Sequence, residues 1–108
     1  MSIIKKTKDQ LIKLLSGMTM APQGLVELNR YFRYYKPINF KYEHKDGLII
    51  AISTNFQYGS IITSGKDEVE LDKNIKDAIL TSFEIPSSYA KEAAIQNEKD
   101  RQGDYAIA

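Results

Sequence analysis

Hydrophobic and polar positions alternate from Ile38 to His44, with Ile38, Phe40, Tyr42 and His44 on one side and Asn39, Lys41 and Glu43 on the other. That period of two predicts a half-buried strand. Lys45-Asp46-Gly47 follows, and an Asp-Gly pair tolerates the positive φ angles of a tight hairpin, so the apolar, β-branched run from Leu48 to Thr54 is expected to pair back. After the loop Asn55 to Gly59, Ser60 to Ser64 predicts a third strand. The period then changes. Leu71, Ile75, Ala78, Ile79 and Ser82 recur at spacings of three and four, whereas Asp72, Lys73, Lys76 and Asp77 fall on the other face, which predicts an amphipathic helix. Asp67 stands at its N-cap and Glu70 in the capping-box position.

Helical spacing also appears upstream. Ile4, Leu11, Leu14, Leu15 and Met18, surrounded by Lys5, Lys6, Lys8 and Lys13, predict a basic amphipathic helix that stops near Gly17. Pro22 and Gly24 punctuate the chain, and Leu25, Leu28, Phe32 and Tyr35 then form the apolar stripe of a second helix ended by Pro37. Downstream, Ser87 or Ser88 can cap a short helix through Tyr89, Lys91, Glu92 and Ala94, with a polar turn from Asn97 to Gly103 and a strand from Asp104 to Ala108. A single helix from Ser88 to Gln102 is the competing reading. The fold expected is α+β: a three- or four-stranded antiparallel sheet with one packed helix, in the order β-β-β-α-β, preceded by two N-terminal helices. The division is expected near Pro37, with residues 1–36 a basic helical extension and 37–108 the α+β domain.

The string Gly59-x-x-x-Thr63-x-Gly65, the acidic helix start and Asn74-Ile75-x-x-Ala78-Ile79 together resemble the core of HicB-type antitoxin domains. The resemblance covers roughly residues 38–83 and extends to the last strand if the sheet closes there. It implies a truncated ribonuclease H-like fold and a binding protein that inhibits a small, basic, RNA-cleaving HicA-type toxin. Two departures stand out. The loop Asn55 to Gly59 keeps only the glycine of the Asp-Leu-Pro-Gly-like loop usual in the family, and no DNA-binding helix-turn-helix or ribbon-helix-helix can be found.

A chain of 108 residues with 43% hydrophobic content has room for one modest core. No apolar run exceeds that of Leu48 to Ile52, and the N-terminus lacks a signal peptide's apolar stretch, so a cytoplasmic protein is expected. The absence of cysteine removes disulfides, thiol catalysis and thiolate metal sites. Net charge is +1, but residues 1–36 carry seven Lys/Arg against Asp9 and Glu27, whereas residues 37–108 carry eight against twelve acids. An acidic body attracts a basic partner. Glu68 and Asp72 are the partner-binding candidates on that reading.

The competing surface is basic. Arg30, Arg33 and Lys36 interleave with Tyr31 and Tyr34, a composition that can neutralise phosphates and stack on unpaired bases. Arg30, Arg33, Tyr34 and Lys36 are therefore the nucleic-acid candidates of a phage-type or accessory protein, and a solitary HicB-like protein with another protein partner is a third class. The residues do not point to an enzyme. His44 is the lone histidine and ends a strand, zinc would need more nitrogen or sulfur ligands, and the strands offer one carboxylate, Glu43, where metal-dependent nucleolysis needs several. No catalytic residue, metal or cofactor is expected. A homodimer or a larger even oligomer is, because a small sheet exposes edges that pair.

Overall fold

The computed structural model describes residues 23–98 and 102–107. In chain order they form α1 (Gln23–Tyr34), β1 (Ile38–Lys45), β2 (Leu48–Ser53), β3 (Ile62–Gly65), α2 (Glu68–Ser82), a 3-10 turn (Ser87–Tyr89), α3 (Ala90–Ala93), β4 (Ile95–Asn97) and β5 (Asp104–Ile107). The helix expected around Ile4 to Met18 lies outside the described residues.

The hairpin forms where the Asp-Gly pair places it. Asp46 and Gly47 have φ of 53° and 78°, the two left-handed residues of a type I′ turn, and β1 pairs antiparallel with β2 from Lys45 opposite Leu48 to Phe40 opposite Ser53. β3 adds antiparallel to the far side of β2, with Ile52 opposite Ile62 and Ile49 opposite Gly65. This register puts Tyr42, Ala51 and Thr63 in one row across the sheet and Lys41, Ile52 and Ile62 in a row on the other face.

α2 begins as its sequence requires. Asp67 Oδ1 accepts from the Glu70 N–H at 2.8 Å, and Glu70 Oε1 accepts in return from the Lys66 N–H at 2.7 Å, one residue before the cap. The helix ends in a Schellman arrangement: Glu84 takes the left-handed conformation at φ 56°, and the Ile85 N–H reaches the Leu80 carbonyl at 2.9 Å. Leu71, Ile75, Ile79 and Leu80 face inward and join Ile38, Phe40, Ala51 and Tyr105 in one buried cluster.

The sheet has five strands, in the order β3-β2-β1-β5-β4, where three or four were expected. The strand ending is present and the long-helix alternative is not: α3 stops at Ala93, Ala94 turns left-handed at φ 54°, and β4 pairs antiparallel with β5. β5 in turn pairs antiparallel with β1, through Ile38 opposite Tyr105 and Asn39 opposite Asp104. β4 escapes a sequence reading because Ile95-Gln96-Asn97 is too short to display alternation and follows the helix-favouring Lys91-Glu92-Ala93-Ala94. Among the described residues no helix is long and apolar enough to cross a membrane.

α1 differs in its buried stripe. Leu25, Leu28 and Tyr31 are buried and Phe32 is half-buried, whereas Tyr35, expected inside, is 42% exposed and Tyr31, expected on the outer face, is 1% exposed. The helix ends at Tyr34; the Tyr35 N–H still reaches the Tyr31 carbonyl at 2.8 Å, so residue 35 closes the last turn at the end of the stripe, where less of the core covers it. Position 31 meets the core as well as position 32 does, because both lie within a turn of Leu28 on a 3.6-residue helix.

Gly65 allows α2 to lie close against β3. A Cβ there would stand 2.5 Å from the Leu71 nitrogen and 2.7 Å from its Cα, both backbone atoms that cannot swing aside. Gly65→Ala is therefore expected to lower stability by about 1–3 kcal/mol, the usual range for overpacking. Urea denaturation checks this, and a loss below half of the lower bound would show that the helix can shift outward freely.

Candidate partner-binding surfaces

Glu68 and Asp72 are brought together. They stand one turn apart on the α2 flank that leans over β1 and β5, and both act electrostatically on Tyr42. Their surroundings separate their roles. Asp72 is half-buried: its Oδ1 accepts from the Tyr105 hydroxyl at 2.6 Å and its Oδ2 meets Lys76 Nζ at 2.9 Å. Glu68 is exposed and in no ion pair among the described residues.

Beneath this flank lies a polar chain that sequence reasoning did not find. Asp72 is an acceptor when ionised, so the Tyr105 hydroxyl donates to it, and the Tyr42 hydroxyl stands beside that of Tyr105. Burial, first, and the bond to Asp72 push the Tyr105 hydroxyl far above the usual tyrosine range. Burial also raises Tyr42, aided by the charges of Asp72 and Glu68 and opposed by the bond to Tyr105. The alternation of β1 marked Tyr42 as inward-facing, but nothing in the sequence ties it to residues 72 and 105.

Arg30, Arg33, Tyr34 and Lys36 are all exposed along the outer side of α1 and just past its end, with Tyr34 74% exposed. Tyr34, Tyr35 and Lys36 line an open cleft with Asn55 and Gln57. The loop on the far side of this cleft is fixed by its own amide: Asn55 Oδ1 accepts from the Asn39 N–H at 2.7 Å, and Asn55 Nδ2 donates to the Pro37 carbonyl at 3.0 Å. Tyr31 does not share the outer face. Its ring packs edge-on against Tyr58 and Phe83, and its hydroxyl accepts from the Gln57 N–H at 3.0 Å.

The carboxylates do not converge. Glu43 lies on the sheet face opposite α2, 3.9 Å from Lys41, whereas Asp72 faces the core side and Asp67 and Glu70 are engaged at the helix cap. Among the described residues no group of three or more His, Cys, Asp or Glu is arranged to hold a metal ion. His44 is exposed at the end of β1, opposite Ile49.

Compared with family models, curated proteins and solved structures, the chain matches none. Its surfaces therefore speak through their own chemistry.

Proposed function

We propose that the chain is a non-catalytic binding protein, antitoxin-like, that inhibits a small basic RNA-cleaving protein of the HicA type by covering its active surface. The observation that carries this reading is the exposed carboxylate of Glu68 beside a fixed Asp72 on one flank of α2, presented by a rigid sheet-and-helix layer. A preset acidic flank meets a phosphate-binding surface without first having to be ordered. The β-β-β-α order, the glycine at position 65 and the acidic helix start agree with the HicB-like pattern; the hairpin of β4 and β5 adds a strand beyond it.

A second reading has its own support. The cleft between Tyr34, Tyr35, Lys36, Asn55 and Gln57 offers an exposed ring beside the Lys36 cation, a geometry that suits an unpaired base and its phosphate.

One experiment separates them. The products of the reading frames that flank the gene are assayed for RNA cleavage with and without this chain. The wild type is expected to inhibit, and Glu68→Lys to weaken inhibition at least about tenfold, or ~1.4 kcal/mol. Glu68 is the cleaner site because Asp72 also holds Tyr105. No inhibition, together with single-stranded RNA binding that Arg30→Gln, Arg33→Gln and Lys36→Gln abolish, would replace this function by the second; each lost phosphate contact should flatten the salt dependence by about 0.7 log units. RNA cleavage by the purified chain itself would overturn both.

A further inference from the structure

Strand β3 forms one outer edge of the sheet, and its chemistry fits a second copy of itself. Ser53 N–H donates to the Ile61 carbonyl at 2.9 Å, and Ile61 N–H donates to Ser53 Oγ at 2.9 Å, so residue 61 turns its backbone toward β2. Antiparallel alternation then turns Thr63 toward β2 and Ile62 and Ser64 outward. One outward group is already used: the Ser64 carbonyl accepts from Asn74 Nδ2 at 2.7 Å, which closes the edge toward α2. The N–H and C=O of Ile62 and the N–H of Ser64 are left facing out.

The strand itself carries none of the usual obstacles to pairing. Gly59-Ser60-Ile61-Ile62-Thr63-Ser64-Gly65 contains no charge and no proline, the devices by which edge strands usually repel one another. Ile62 is 64% exposed. Beside it runs an open groove of about 390 Å³ between β3 and the α2 flank, bordered by Asn74, Asp77, Ala78, Thr81 and Ser82. The opposite edge, β4, is three residues long, runs into Glu98, and spends the Asn97 amide within its own hairpin on the Asp104 carbonyl at 3.0 Å.

We propose that β3 pairs antiparallel with β3 of a second copy about a two-fold axis at Ile62, so that the two sheets become one. At that register each Ile62 N–H donates to the other Ile62 carbonyl, and each Ser64 N–H faces the other Ser60 carbonyl. The Ile62 groups and the Ser64 N–H are thus satisfied reciprocally, as a C2 contact requires, while each Ser60 N–H meets a Ser64 carbonyl that Asn74 Nδ2 also engages. The two Ile62 side chains become cross-strand neighbours on the open face. Because Lys41, Ile52 and Ile62 share one row, the joined sheet reads Lys41, Ile52, Ile62, Ile62, Ile52, Lys41 across the axis. An extended segment of another protein would not gain this symmetric exchange.

The full chain at tens of micromolar should run in sedimentation equilibrium at twice its 12.3 kDa mass. Ile62→Lys should halve that mass while the circular dichroism spectrum stays that of the folded protein, since the side chain is already 64% exposed. The chain has no cysteine, so Lys41→Cys gives a unique spin-label site. Five strand spacings of about 4.8 Å separate the two sites in the joined sheet, so pulsed dipolar spectroscopy should report a distance centred near ~24 Å, broadened by the label's reach. A wild type of single-chain mass, a dimer that survives Ile62→Lys, or a label distance far from that value would each overturn the proposal.

Discussion

Tyr31→Ala should lower the stability of the fold by about 3–5 kcal/mol, the cost of deleting a fully packed aromatic ring. The side chain is 1% exposed. Its ring lies 5.2 Å from Phe32, 4.7 Å from Tyr35, 5.4 Å from Phe56, 5.3 Å from Tyr58 and 5.6 Å from Phe83, measured between centroids. These neighbours come from α1, from the loop between β2 and β3, and from the end of α2, so a single ring joins three segments that share little backbone pairing. A domain of this size commands about 5–15 kcal/mol in total, and the loss would remove a large part of it. Tyr31→Phe isolates the hydroxyl. It removes one acceptor for the Gln57 N–H, worth about 0.5–1.5 kcal/mol, and Gln57 is exposed enough for water to replace it. Tyr34→Ala, at a side chain 74% exposed, should change stability by no more than about 0.5 kcal/mol. Urea melts of the three variants should rank Tyr31→Ala far below the other two; equal midpoints would mean that α1 does not belong to the core.

That ring also marks where the sequence stops being informative. A period of 3.6 identifies which side of α1 is apolar, but it leaves positions 31 and 32 both near the centre of the stripe, and the choice falls to what waits there. Phe56, Tyr58 and Phe83 surround position 31, and a backbone N–H from residue 57 meets its hydroxyl. None of those partners is local, so no window of residues displays them. The elements that were legible carry their own signals within a few residues: the Asp46-Gly47 turn, the alternation of β1, and the Asp67 and Glu70 cap. β4 carries none. Its three residues gain their conformation from the pairing with β5, across a segment that local propensity would continue as helix.

The same division holds for the surfaces. Glu68 and Asp72 could be placed on one helix flank from their spacing alone, and the structure places both beside Tyr42. What separates a free carboxylate from an engaged one is a contact between residues 33 apart in sequence, Asp72 and Tyr105, which only the closure of the sheet creates. Gly65 is intermediate. Its presence before the helix is visible in the sequence, but its cause is the approach of the Leu71 backbone rather than a special φ angle.

The buried tyrosines predict a loss of stability in alkali. Tyr105 and Tyr31 are each 1% exposed and Tyr42 is half-buried, and in all three burial holds the hydroxyl proton more tightly than the ordinary value of 10.0. At Tyr31 the Gln57 N–H opposes that shift without reversing it. Folded-state values raised above unfolded ones mean that, once pH passes about 10, the unfolded chain sheds protons that the folded chain keeps. The unfolded state then binds fewer protons, and the free energy of unfolding falls with pH. The stabilisation is fully present below that pH and declines above it, by up to about 1.4 kcal/mol per pH unit for each tyrosine that stays protonated in the fold. Tyr105→Phe should show both sides of this linkage. Near neutrality it should cost about 1–2 kcal/mol through the lost bond to Asp72, which keeps Lys76 and some water as partners. In alkali its stability should fall less steeply than that of the wild type by one tyrosine's share. Denaturant melts from about pH 9 to about pH 11.5 measure the two slopes, and parallel slopes for wild type and variant would show that Tyr105 ionises as readily in the fold as out of it.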